Sequence, residues 1–268
     1  MKKLLYTILL LSLCQISIAQ RDTAFRLVGT LPGEIADAAI DNLSNVYILT
    51  TTDQLKKYNA SGDSLAVYNN VRRFGKVYSI DVSNPLKVLL YYKDFSSIVV
   101  LDRLLATRAT IVLRRKNILD VTAIGQSFDN NIWVFDAFDN KLKKIDDEGN
   151  ILLETSDLRQ VFNQALAPQQ IIDQNNQLYL YDPLNGLFVF DYYGTFKRKI
   201  PLLGWSNINI TDKYVFGISN ESLQSYNVST LMESQQKFPG TFATYYRYHI
   251  SNNKLIALSK DGLHIYSY

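Results

Sequence analysis

The sequence predicts an all-β fold built from six similar units, and three observations support this. Apolar and aromatic runs of four to six residues, rich in Val, Ile, Tyr and Phe, recur along the chain. Asn, Asp and Gly separate them, which is typical of tight turns between strands. The second run of each unit starts near residues 46, 87, 132, 177, 214 and 254. A unit of this size cannot bury its apolar faces alone, so the repeats must pack on one another.

The unit beginning at Thr122 shows the internal pattern of a repeat. Its apolar runs, 122–124, 132–135, 142–145 and 151–153, are separated by polar turns. Four short strands in a period of about 40–45 residues are typical of one blade of a β-propeller. We therefore predict a six-bladed β-propeller.

The first and last segments are expected to close the ring together. The third run of the last unit, 263–266, lies close to Tyr268 and leaves that unit without a fourth strand. Segment 25–30 is unassigned at the other end of the sequence. We expect this N-terminal strand to complete the sixth blade, because closure removes the exposed edge of the sheet.

One short inserted helix is predicted between the third and fourth units, over 156–167. Its apolar residues recur at helical spacing, and Ser156 or Asp157 can cap its first turn. Pro168 is expected to end it.

Residues 1–19 have the features of a secretory signal peptide. Two lysines precede a short apolar stretch, and small residues end at Ala19. The apolar stretch is shorter than the about 20 residues that span a bilayer, so no integral membrane segment is expected. Acylation of Cys14 is the alternative, although Leu13 is larger than the residue that usually precedes a lipidated cysteine. Residues 20–268 are then one propeller domain, exported to the periplasm, the outer membrane or the cell exterior.

Charge and cysteine content bear on the partner and on how the domain is stabilised. The chain has 28 Lys and Arg against 25 Asp and Glu, and removal of Lys2 and Lys3 leaves a net charge of about +1. This balance does not favour nucleic acid as a partner. The single cysteine lies in the leader, so the mature domain is expected to fold without disulfides.

Segments 132–146 and 178–191, IWVFDAFDNKLKKID and LYLYDPLNGLFVFD, resemble the blades of NHL-type and TolB-like six-bladed propellers. The Asp that ends the second strand in these two units is replaced by Thr50, Ser219 and Ser259 in others. Propellers of these types include lyases, lactonases and non-catalytic interaction modules, so the resemblance implies the fold and no single activity. The leader also resembles those of exported Bacteroidota proteins.

The catalytic candidate is His249, which is expected on an innermost strand facing the central channel. Base and metal-ligand roles need convergent partners, so a packed structural histidine is the alternative, and His264 is expected to be structural. Acidic residues recur at the first turn of successive units: Asp41, Asp81, Asp129, Asp173 and Asp212. Turn formation accounts for them, because no loop gathers the six to eight oxygens that calcium takes. We predict no metal site and no cofactor.

The predicted binding surface lies on the face that carries both the loops between second and third strands and the connections between units. Its candidate residues are Arg72, Arg73, Phe95, Arg114, Arg115, Phe138 and Trp205. Arg and aromatic side chains dominate binding hot spots, although short loops are also polar without any partner.

The function favoured by the sequence is a non-catalytic exported propeller that serves as a protein-interaction or scaffold module in the bacterial cell envelope. Its partner would be an envelope protein or complex. The first alternative is a hydrolase or lyase acting on a sugar or lactone, with His249 in the channel. The second is a propeller that captures a small molecule in the channel without chemistry.

Overall fold

A computed structural model shows six four-stranded antiparallel sheets, which confirms the predicted six-bladed β-propeller. It describes residues 25–268, except for Asp53, Asn70 and Asn252 and the side chains of Val71 and Arg72. The expected signal peptide, its cleavage site and Cys14 lie outside the described residues.

Each blade is a meander whose first strand lines the channel and whose last strand lies outermost. The strands are, for blade 1, β2 (Ile35–Ile40), β3 (Val46–Thr50), β4 (Leu55–Tyr58) and β5 (Ser64–Tyr68); for blade 2, β6 (Ser79–Asn84), β7 (Lys87–Tyr92), β8 (Ser97–Asp102) and β9 (Thr107–Val112); for blade 3, β10 (Val121–Gln126), β11 (Ile132–Asp136), β12 (Lys141–Ile145) and β13 (Ile151–Glu154); for blade 4, β14 (Gln170–Gln174), β15 (Gln177–Asp182), β16 (Gly186–Phe190) and β17 (Phe196–Ile200); for blade 5, β18 (Ser206–Ile210), β19 (Tyr214–Ser219), β20 (Ser222–Asn227) and β21 (Glu233–Lys237); and for blade 6, β22 (Arg247–Ser251), β23 (Lys254–Ser259), β24 (Gly262–Ser267) and β1 (Arg26–Pro32).

The six second strands begin at the residues predicted from the sequence. They are the most apolar because neighbouring blades cover both of their faces, and every residue of β7 and β11 is buried. The fourth strands lie at the perimeter, and β13 and β21 are mostly exposed. The core consists of clusters packed between successive blades.

The N-terminal strand closes the ring as expected. β1 pairs antiparallel with β24, from Arg26 opposite Ser267 to Pro32 opposite Gly262. A Cβ on Gly262 would lie 2.3 Å from the Leu31 carbonyl oxygen, so only glycine lets the two strands approach this closely. The two ends of the domain therefore lie side by side at one end of blade 6.

The inserted helix α1 (Leu158–Phe162) is shorter than the predicted 156–167. The Asp157 carboxylate accepts a hydrogen bond from the Arg159 N–H and caps its start. Asn163 adopts a left-handed conformation with φ of 55° and ends the helix, so Pro168 is not the residue that stops it.

Two rims surround the channel. The upper rim carries the turns between second and third strands and the connections between blades, and the lower rim carries the remaining turns. Blade 3 thus places Phe138 at its upper tip and Phe128 at its lower tip.

Blades 3 and 4 approach each other closely along β10 and β14. A Cβ on Gly125 would lie 2.4 Å from the carbonyl oxygen of Ile171, closer than any side chain tolerates. Glycine is therefore required at this position, where two backbones approach across the blade interface.

Candidate functional site

The central channel holds a cavity of about 720 Å³ lined by the six innermost strands. Cavities of about 300–1,000 Å³ are typical of small-molecule sites. Its lining mixes aliphatic side chains with carboxylates, amides and hydroxyls.

His249 reaches the channel, as predicted, and pairs with a carboxylate of the neighbouring blade. Its Nε2 lies 2.7 Å from Asp37 Oδ1, and Arg247 Nη1 lies 3.1 Å from Asp37 Oδ2. Burial raises the pKa of Asp37, but the hydrogen bond and charge of His249 and the charge of Arg247 outweigh it and hold the pKa below its usual range. A histidine oriented by a carboxylate is the arrangement that general-base chemistry uses.

The pair of His249 and Asp37 is one of several contacts that join blade 6 to blade 1. The Tyr246 Oη donates to the Ile35 carbonyl oxygen at 2.6 Å, and the Ser251 Oγ donates to the Ile40 carbonyl oxygen at 2.7 Å. The pair of His249 and Asp37 therefore has a structural role regardless of any chemistry.

Two other channel carboxylates join neighbouring blades. Asp81 of blade 2 accepts hydrogen bonds from the backbone N–H of Gln126 at 2.9 Å and from its side chain at 3.2 Å. Asp173 of blade 4 accepts from the Ser127 Oγ at 3.2 Å and the Phe128 N–H at 3.1 Å. Burial raises the pKa of Asp173 despite these donors.

Asp41 and Asp129, two other aspartates of the predicted turns, form the side-chain turns expected of them. Asp41 accepts from the backbone N–H groups of Leu43 and Asn45, and Asp129 accepts from that of Asn131. Among the residues that the structure describes, no group of three or more His, Cys, Asp and Glu side chains could hold a metal ion.

Sequence reasoning missed the role of the aspartates that end β11 and β15. Asp136 accepts from the Asp120 N–H at 2.9 Å and pairs with Lys143, and Asp182 accepts from the Ala167 N–H at 2.8 Å. Each carboxylate thus ties its blade to the connection that enters it. The sequence signal for this role is the Asp that ends the second strand in both the third and the fourth units.

Contacts on the upper rim join the connections after blades 1 and 2 to the tip of blade 2. The Leu113 N–H donates to the Ser96 carbonyl oxygen at 2.9 Å, and Arg114 Nε donates to the Ser96 Oγ at 3.1 Å. These bonds join the connection after blade 2 to the tip that carries Phe95. A Cβ on Gly75 would lie 3.1 Å from the Phe95 ring, so the connection after blade 1 contacts the same ring.

Aromatic and basic groups alternate on this surface. The Arg73 guanidinium lies 5.3 Å from the ring centre of Phe74, and Lys93 Nζ lies 5.0 Å from that of Tyr78. The Arg114 and Arg115 side chains are exposed. Phe95 and Phe138 expose 57% and 65% of their surface, which is unusual for phenylalanine. We call the group Arg73, Tyr78, Lys93, Phe95, Arg114, Arg115 and Phe138 the upper-rim patch.

Two predicted residues are not part of this patch. Trp205 is buried in the core between blades 4 and 5, where its ring covers Gly217 and its carbonyl oxygen accepts from the Tyr181 Oη at 2.8 Å. Arg72 belongs to the 3₁₀ turn Val71–Phe74, and its side chain lies outside the described part of the chain.

No family model matches the sequence, and no curated protein matches it. In the described part of the chain, no helix combines the length and apolarity needed to cross a bilayer.

Solved structures share the fold at low sequence identity. Virginiamycin B lyase from Staphylococcus aureus aligns with a TM-score of 0.59 at 17% identity, over 91% of this chain and 89% of the lyase chain. The β-propeller domain of Cps50 (Swd1) from Myceliophteria thermophila aligns with a TM-score of 0.61 at 9% identity, over 91% and 99% of the two chains. The extracellular domain of BT3049 from B. thetaiotaomicron aligns with a TM-score of 0.55 at 12% identity, over 87% of this chain and 33% of that chain. All three are less than 25% identical to this chain, so the likeness establishes the fold alone.

Proposed function

We propose that this protein is an exported, non-catalytic β-propeller that binds an envelope protein through the upper-rim patch. The observation that carries the proposal is that exposed Phe95 and Phe138 lie with the exposed basic side chains of Arg114 and Arg115 on one rim of adjacent blades. Aromatic anchors surrounded by Arg are the composition of binding hot spots.

Charge indicates the kind of partner surface. The exposed or partly exposed basic groups in and beside the upper-rim patch are Arg73, Lys76, Lys93, Arg114, Arg115 and Lys116, against the acidic groups Asp94, Asp120 and Asp139. An acidic partner surface with apolar groups at its centre would complement this patch in charge and chemistry.

A triple variant with Arg114, Arg115 and Phe138 replaced by alanine tests the proposal. Affinity purification from membranes of the source cell should recover a partner with the parent protein and at least tenfold less with the variant. A control with Arg103, Arg198 and Phe128 replaced by alanine removes the same residue types from other exposed positions. If both variants recover the same partners as the parent at an unchanged Tm, the upper rim is not the binding face.

The proposal also includes export of the protein and its relationship to a known type of propeller. The aspartates of blades 3 and 4 and the extracellular domain of BT3049 among the similar structures support an NHL-type or TolB-like propeller of Bacteroidota type, placed in the periplasm or at the outer membrane. Cell fractionation and N-terminal sequencing of the native protein test export. Mature protein that begins at Met1 in the cytoplasm would contradict it.

A second candidate function, a lyase or hydrolase acting on a sugar or lactone, is favoured by the 2.7 Å contact of His249 with Asp37 in the channel. A similar solved structure is a catalytically inactive virginiamycin B lyase in which a histidine is replaced by alanine. Purified protein should be assayed on lactones and glycosides with and without calcium. Activity that His249→Ala abolishes would support this function, and the absence of turnover would remove it.

A further inference from the structure

Two aromatic rings meet on the lower rim, on the side of the molecule opposite the upper-rim patch. Phe128 from blade 3 and Tyr192 from blade 4 stack with their ring centres 4.2 Å apart at an angle of 30°. Phe128 is nevertheless 65% exposed. The Tyr192 Oη donates to the Asn176 side-chain oxygen at 3.4 Å. A partly open aromatic pair beside an amide is an unusual surface feature for a monomeric protein.

This aromatic pair adjoins the lower mouth of the channel. Asp173 and Gln174 line the channel cavity, and Asp173 Oδ2 accepts the backbone N–H of Phe128 at 3.1 Å. The backbone of Phe128 is thus held next to a half-buried carboxylate at the edge of a concave space, and Lys144 Nζ lies 5.6 Å from the centre of its ring. An aromatic face, a carboxylate and side-chain amides converge there.

Two lysines close to the aromatic pair are already bound to aspartates. Lys144 Nζ lies 2.8 Å from Asp129 Oδ2, and Lys197 Nζ lies 2.8 Å from Asp191 Oδ2. These lysines therefore offer little attraction to an anionic ligand, and the carboxylates Asp41, Asp81 and Asp173 in the cavity lining would repel one. A neutral ligand with many hydroxyl groups fits better, because hydroxyls can donate to carboxylate and amide oxygens.

We propose that the lower mouth of the channel binds a neutral oligosaccharide, with Phe128 and Tyr192 stacking on a sugar ring and Asp173, Gln174 and Asn176 bonding its hydroxyls. The C–H groups of a sugar ring carry partial positive charge and interact favourably with the negative face of an aromatic ring. This site is independent of the proposed protein-binding function, because it occupies the other rim.

The test is a calorimetric titration of the purified protein with neutral oligosaccharides of six units, namely malto-, cello-, xylo- and manno-oligosaccharides. At least one should bind saturably, and Phe128→Ala should weaken that binding at least tenfold. Phe138→Ala is a closely matched control, because it removes the same residue with the same exposure of 65% from the opposite tip of the same blade. Phe138→Ala should leave sugar binding unchanged.

A second variant separates binding from stability. Asp173→Asn keeps the side-chain shape but exchanges one carboxylate oxygen for an amide donor, and it should also weaken binding while the Tm is followed in parallel. If none of the four oligosaccharides binds, or if Phe128→Ala binds as tightly as the parent, the proposal is overturned. Tighter binding of an acidic hexuronate oligomer than of any neutral one would overturn it too. None of these results bears on partner capture by the upper-rim patch.

Discussion

Lys143 and Asp136 form an ion pair of 2.8 Å with both side chains almost completely buried. Burial opposes the charge on each, but the pair itself, with Asp139 and the N–H groups of Asp120 and Leu119, raises the pKa of Lys143 and lowers that of Asp136. The pair therefore stays charged inside the sheet, where loss of either partner leaves an uncompensated charge.

Lys143→Met should destabilise the protein by about 3–5 kcal/mol, the range seen when one member of a buried pair is removed. Urea unfolding at pH 7 measures this. Lys141→Met is the control, since the pair of Lys141 with Glu154 is partly exposed and should contribute at most about 1 kcal/mol. Equal midpoints for the two variants would contradict the prediction.

Gly125→Ala should destabilise the protein by about 1–3 kcal/mol, because the new Cβ would push blade 3 away from the Ile171 carbonyl group. Gly240→Ala provides the comparison, as nothing lies within 4 Å of its added Cβ and its φ is not left-handed. Thermal unfolding of both variants measures the effect. A Tm for Gly125→Ala at or above that of Gly240→Ala would contradict the prediction, because blades 3 and 4 could then accommodate the added Cβ without loss of stability.

Alkaline pH should lower the stability of the fold, because a buried tyrosine resists ionisation in the folded protein. Burial raises the pKa of Tyr181 to about 12. In the unfolded chain tyrosine ionises near pH 10. The unfolded chain therefore loses this proton first, so stability is complete below about pH 10 and falls as pH rises towards 12. Tyr181→Phe should lose stability at pH 8, where its bond to the Trp205 carbonyl group is missing, yet show a smaller decrease between pH 10 and 12. Urea midpoints across this range test the sign, and an identical slope in both proteins would contradict it.

Removal of the closing strand should make the protein associate. A chain that begins at Gly33 lacks β1 and exposes the edge of β24 along its length. Size-exclusion chromatography with light scattering should show oligomers or aggregates, whereas a chain that begins at Phe25 should remain a single species. A stable monomer of the shorter chain would mean that closure is dispensable.

Strand positions were predictable because burial on both faces imposes continuous apolar runs. Lys87 and Ile132, the first residues of β7 and β11, begin where the sequence indicated, as do the other second strands. The helix was predicted too long because apolar spacing continued past Asn163, whose left-handed backbone is a local choice that periodicity does not reveal.

The site was less predictable, because its contacts join distant parts of the sequence. His249 was placed on the correct strand, but its partner Asp37 lies 212 residues away on another blade. Trp205 lies in the connection between blades 4 and 5, where the sequence predicts a surface residue, yet Gly217 on β19 leaves the space into which its ring packs. The aromatic pair of Phe128 and Tyr192 forms only when two turns of different blades meet.

The pairing of Arg26 with Ser267 has a practical outcome for handling the molecule. Phe25 and Tyr268 lie together at the lower rim of blade 6, so a tether attached at either residue leaves Phe138 on the side away from the support. Immobilised protein would then offer its basic face to a passing macromolecule while the opposite opening looks towards the matrix. Experiments on soluble sugars should accordingly be run with the protein free in solution.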